Sequence, residues 1–182
     1  MVYLVNPSKP VIPQLLQEVR RELLLSQPGF IIISTSQPGI ATDFVFPGIE
    51  TILFYGEENS VEPPEDFENV KQSMLERNIR VIKAKHLMKE LFHSSSKKYR
   101  TLFPLEIMAA TLSDLPGGVK YCIENAVWAV DKQIIPSGSL TLSIAGEKDL
   151  PDTAILIEPK ISRNIIDSRI VKIICHPYQE KF

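Results

Sequence analysis

The chain has 182 residues, which fits a single domain, 1–182, with one sizeable core. Its hydrophobic share of 44% and charged share of 23% are those of a globular protein, which excludes disorder for most of its length. With 20 basic and 22 acidic residues the formal net charge is −2, so there is no field to gather nucleic acid or anionic lipid, and neither is an expected partner.

The first residues, Met1 to Val5, have neither the basic nor the long apolar region of a signal peptide. No apolar run is long enough to span a bilayer, so a soluble, cytoplasmic protein is expected. Cys122 and Cys175 sit in apolar stretches and form no CxxC pair. They read as buried free thiols, although the sequence leaves a disulfide between them open.

In chain order, Tyr3 to Val5 is a short strand candidate, and Asn6-Pro7-Ser8 turns the chain. Ile12, Leu15, Leu16, Val19 and Leu23 recur at helical spacing and predict an amphipathic helix over 11–25. Phe30 to Ile33 is a continuous β-branched run, the mark of a strand covered on both faces in a parallel sheet. From Ser34 to Phe46 a layer helix is due, but Pro38 and Gly39 interrupt it. Thr51 to Phe54 is the next buried strand, and Gly56 to Pro64 an acidic loop. Phe67, Val70 and Met74 mark a helix with Glu65 and Asp66 in its first turn, where negative charge suits the helix dipole. Arg80 to Ile82 is another short strand.

Leu87, Met88, Leu91 and Phe92 give a helical turn or two before the run Ser94 to Ser96. The only basic cluster, Lys97, Lys98 and Arg100, follows and reads as a solvated loop. Leu105, Met108, Leu112 and Leu115 repeat as a core stripe, with Pro104 suited to the first turn. From Val119 to Val130 the helical pattern is apolar almost all round, so this helix is packed on more than one side. Leu140, Leu142 and Ile144 then alternate with Ser139, Thr141 and Ser143, predicting a strand with one apolar and one polar face. Ala154 to Ile157 and Ile170 to Cys175 complete the strands. Strand–helix alternation in the first half implies a mostly parallel sheet with helices on both faces. The last three strands lack crossover helices, so they pair antiparallel at the sheet edge.

No GxGxxG follows a strand and no Walker loop is present, so ordinary nucleotide-binding readings lack support. His86, His93 and His176 have no metal-ligand spacing, and no metal site or catalytic constellation is read. His176 beside Cys175 is not a thiol–imidazole pair, because neighbours on a strand point to opposite faces. Cys175 is expected in the core and His176 at the surface. Glu124 and Asp131 share a helix face and read as structural hydrogen-bonding groups, and Asn125 needs a partner wherever it is enclosed. Ser34, Thr35 and Ser36 follow a buried strand, where open α/β sheets place their sites. Their hydroxyls serve either a phosphate-bearing ligand or ordinary turn chemistry. Asp152 and Thr153 serve either a ligand or a cap of the strand turn.

The segments Gly118 to Glu124, Ala129 to Asp131 and Ile135-Pro136 carry a resemblance. So do Leu142 to Gly146, Asp152 to Pro159 and Ile173 to Pro177. In order and spacing they are similar to the stand-alone pyruvate kinase α/β-domain-like proteins, relatives of the C-terminal regulatory domain of pyruvate kinase. The resemblance implies a three-layer α/β/α fold of that type with a ligand crevice at the strand ends. It implies non-catalytic binding of a small phosphate-bearing metabolite or effector. Pyruvate kinase activity itself is excluded, since its catalytic barrel has no room in 182 residues.

The alternatives are a small flavin protein or enzyme holding flavin mononucleotide (FMN), and a scaffold with a degenerate site acting through homo-oligomer contacts. The family's Gly-Asp-Thr turn is replaced by Ser34 to Thr42, where Gly39 and Thr42 stand in. Its glycine- and arginine-containing loop is reduced to Gly146 and Lys148. The candidate ligand residues are therefore Ser34, Ser36, Gly39 and Thr42 on one loop, and Gly146, Lys148, Asp152 and Thr153 on the other.

Overall fold

A computed structural model describes residues 2–4, 11–56, 64–83, 118–146 and 150–177. The 85–100 stretch with its basic cluster, the Leu105 to Leu115 stripe, His86, His93 and Lys148 lie outside the described residues.

The elements are β1 (Val2–Leu4), α1 (Val11–Ser26), β2 (Phe30–Thr35), a one-turn α2 (Pro38–Ala41) running into a 3-10 turn (Thr42–Phe44), and β3 (Glu50–Tyr55). After these come α3 (Phe67–Leu75), β4 (Ile79–Lys83), α4 (Val119–Asp131), β5 (Thr141–Ala145), β6 (Thr153–Glu158), a 3-10 turn (Ser162–Asp167) and β7 (Arg169–Pro177). Pro38 begins α2 instead of breaking it, since a proline in the first turn has no N–H to lose. The expected layer helix shrinks to this single turn.

Seven strands form one sheet in the order β1-β7-β6-β5-β2-β3-β4. β5, β2, β3 and β4 run parallel, β6 lies antiparallel between β5 and β7, and β1 pairs parallel with β7 at the far edge. The fold is three-layered α/β/α. One apolar layer joins α1, α3 and the sheet through Leu15, Val19, Ile31, Ile33, Leu53 and Met74. The other joins α4 to the sheet through Ile32, Ile52, Phe54, Cys122, Ala126 and Ile155. Glu22, buried on α1, pairs with Lys172 of β7 at 2.5 Å and ties that helix to the sheet. Among the described residues no helix is long and apolar enough to cross a membrane.

Helix α4 is enclosed on more than one side, as its pattern requires. At 100° per residue, Gly118, Cys122, Asn125 and Ala129 lie along one stripe, while Ile123 and Val127 face away from it, and both sets are buried.

Two expectations are corrected. The polar face expected on β5 is not exposed: Thr141 and Ser143 are fully buried. Their hydroxyls are satisfied internally, Thr141 donating to the Ser139 carbonyl at 3.1 Å and Ser143 to the Cys122 carbonyl at 2.8 Å. His176 is buried rather than at the surface, and so is its neighbour Cys175, so both faces of β7 are covered at this end of the strand. The His176 Nδ1 lies 2.8 Å from the Pro177 carbonyl. Asp66 stands at the start of α3, where its negative charge was expected, and its carboxylate accepts from the Tyr55 hydroxyl at 2.9–3.0 Å, joining that helix end to the end of β3.

Candidate functional site at the strand ends

From β2 the chain moves outward to β3 and β4, whereas from β5 it moves the other way, to β6 and β7. β2 and β5 are neighbours, so the point where the strand order reverses lies between their C-terminal ends. This is the place where open α/β sheets leave a crevice. The last paired position is Ile33 with Ile144, so Ser34 and Ala145 leave the ladder side by side. The two loops singled out in the sequence, Ser34–Thr42 and Gly146–Thr153, thus start at adjoining strand ends.

On the β5–β6 side the polar groups are already engaged with one another. The Gly118 N–H donates to the Thr153 hydroxyl at 2.8 Å, and that hydroxyl donates its proton to Asp152 Oδ1 at 2.7 Å. The Asp152 N–H donates to the Ala145 carbonyl at 3.2 Å. A negative charge therefore sits within two hydrogen bonds of the first turn of α4, where the helix dipole favours it. Thr153 is fully buried and Asp152 half-buried. Two glycines make the arrangement sterically feasible. A Cβ on Gly118 would lie 2.5 Å from the Ala145 carbonyl oxygen, and one on Gly146 would lie 1.9 Å from the Leu150 oxygen.

Below this cluster the Cys122 thiol faces the Thr153 carbonyl at 3.6 Å. Burial pushes the Cys122 thiol well above its ordinary range and the Asp152 charge adds to this; hydrogen bonds involving Ser143 and Ala145 oppose the rise only in part. Burial likewise pushes Cys175 up to about 12. Both cysteines are free, and they belong to the layers on opposite faces of the sheet, which resolves the open disulfide question. A thiol held protonated by burial is a poor nucleophile.

On the β2 side, Ser34 points to the same face as Ile32, toward α4, and is nearly buried. No hydrogen bond of the Ser34 or Ser36 hydroxyl falls among the described residues. Thr35 accepts from the Gln37 N–H at 3.1 Å, a local turn. The Thr42 hydroxyl donates to the Gly39 carbonyl at 2.7 Å, so this pair closes the short α2 turn.

The remaining candidates lie elsewhere. Asp131 accepts from the Ser162 N–H at 2.9 Å, and buried Glu124 lies 4.0 Å from the Lys120 ammonium. Both are at structural joints of α4. Asn125 is buried, and its Nδ2 has no hydrogen-bond partner among the described residues. No sequence signal marked it as unsatisfied. A shallow groove of about 380 Å³ lies at the opposite end of the sheet, between Val130, Ile134, Pro136 and Ile161. Among the described residues no ionisable side chain lines it. Among the described residues no group of three or more His, Cys, Asp or Glu side chains is placed to hold a metal ion. No protein-family model matches the chain.

Proposed function

We propose that this protein is a non-catalytic binding domain that holds a small phosphate-bearing metabolite or effector at the switch point between β2 and β5. The observation that carries the reading is the juxtaposition of Ser34 with the Gly146–Thr153 loop at the reversal of strand order. The two loops are far apart in the chain, yet they start at adjoining strand ends, where this kind of architecture leaves a crevice. The hydroxyls of Ser34 and Ser36 supply donors for phosphate oxygens. A binding role rather than a chemical one is supported by the two thiols, which burial keeps protonated, and by the engagement of Asp152 with Thr153. The sequence resemblance to the regulatory domain of pyruvate kinase points the same way.

The test is a thermal-shift panel of phosphate-bearing metabolites, FMN included, on the wild type and on Ser34→Ala with Ser36→Ala. A hit that raises Tm in the wild type and is lost in the double variant supports the reading. A panel without a hit, or a hit indifferent to both serines, overturns it.

A further inference from the structure

We propose that Lys172, pointing inward from β7, keeps the free edge of that strand from pairing with the same edge of a second copy of the chain, and that two β-bulges support it in this.

The outer side of β7 is covered over only part of its length. β6 pairs with β7 from Arg169 to Cys175, whereas β1, on the other side, pairs only with Cys175, His176 and Pro177. From Arg169 to Ile173 that outer side has no strand partner among the described residues. Apolar surface lies beside it. Ile170 is 37% exposed and Val171 is 43% exposed. Leu25, 72% exposed, follows Glu22 on the same flank of α1, and Glu22 reaches Lys172. Unpaired backbone groups next to exposed apolar side chains are a template for a further strand.

Two features oppose that pairing. The first is irregular geometry. β7 carries an extra residue, Val171, between the Ile157–Ile170 and Leu156–Lys172 pairs, and another, Ile174, between the Ile155–Ile173 and Ala154–Cys175 pairs. Each bulge bends the strand and interrupts the regular spacing of its N–H and C=O groups.

The second feature is a charge. Lys172 lies opposite Leu156, which belongs to the apolar layer shared with α1, and its ammonium donates to Glu22 on that helix. The Lys172 side chain thus points inward at the rim of the sheet, where only the open edge keeps it in contact with water. An ammonium has three N–H donors, and one is given to Glu22. The side chain is 45% exposed, so solvent serves the rest. A strand added along this edge would strip that solvent and leave donors unmet, which a buried ion pair does not tolerate.

Glu22→Leu combined with Lys172→Leu replaces the pair by apolar side chains and leaves no lone charge. Sedimentation velocity reads the mass, and amide hydrogen–deuterium exchange locates the contact. The double variant should gain mass by about twofold or more over the wild type at equal concentration, as a dimer or a larger species. Its exchange should slow at residues 170–173. Adding Val171→Lys, which returns a charge to the edge, should remove both changes. Glu22→Gln with Lys172→Met serves as the second pair if the leucines disturb folding.

A folded double variant that keeps the wild-type mass at every concentration overturns the proposal. Added mass without slowed exchange at 170–173 also overturns it, since the contact then lies elsewhere. So does a wild type whose exchange at 170–173 slows as its own concentration rises.

Discussion

Replacing Thr153 by valine changes almost no volume but removes the hydroxyl that joins helix to loop. Two hydrogen bonds go with it, the one from Gly118 and the one to the Asp152 carboxylate. The residue is fully buried, so water cannot readily take the place of the lost oxygen at Gly118. Leaving a buried donor unsatisfied costs about 1–3 kcal/mol, and a hydrogen bond to a charged group is worth roughly 1.5–3 kcal/mol. The half-buried carboxylate recovers part of its share from solvent, so the expected loss is about 3 kcal/mol. For a chain of this size that corresponds to a fall in Tm of roughly 6–12 °C.

Urea denaturation gives the free energy, and Thr141→Val is the control. Thr141 is equally buried, but its hydroxyl only donates to the nearby, partly exposed Ser139 carbonyl, so its loss should cost no more than about 1 kcal/mol. If Thr153→Val costs less than Thr141→Val, the Gly118–Thr153–Asp152 linkage does not hold the helix to the loop.

Gly118→Ala should destabilise by about 1–3 kcal/mol, since its Cβ would press on the Ala145 carbonyl, which is backbone and cannot swing away; an unchanged urea midpoint would contradict that close approach. Stability should decline as pH rises. Unfolded thiols titrate near pH 8.5, whereas Cys175 is held at about 12 and Cys122 well above its ordinary value. The contribution of each raised thiol is complete below about pH 8.5 and then falls by about 1.4 kcal/mol per pH unit until the folded thiol titrates. Cys175→Ala should flatten that decline by one thiol's share in urea titrations from pH 8 to 11, and an unaltered slope would refute the assignment. Asn125→Leu removes a buried donor lacking a partner among the described residues, so it should leave stability within about 1 kcal/mol of the wild type or raise it. A loss above about 2 kcal/mol would mean that the amide is satisfied.

Where a residue's role depends on its neighbours in sequence, the sequence made it legible. The unbroken run Phe30 to Ile33 became a central strand with both faces covered, and the apolar surround of α4 became a helix enclosed on more than one side. Roles that depend on distant partners were not legible in the same way. Thr141 and Ser143 look like a solvent face by alternation alone, yet Ser143 donates to the carbonyl of a residue 21 positions earlier. His176 looks like a surface residue by alternation with Cys175, yet both faces of β7 are covered there. The need for a glycine at 118, set by the passage of the β5 backbone, is invisible without the sheet. The two candidate loops are legible because strand ends can be read from local pattern. Local pattern does not decide between a ligand contact and a cap of the strand turn for Asp152 and Thr153, because the Gly118 donor that engages Thr153 lies 35 positions away.

The most direct test of the central claim is amide hydrogen–deuterium exchange of the protein with and without the metabolite that most raises its Tm. Binding at the switch point predicts slowed exchange concentrated in residues 34–37 and 145–153. Protection centred instead on Val130 to Ser137 and Ile161, around the groove at the opposite end of the sheet, would contradict it.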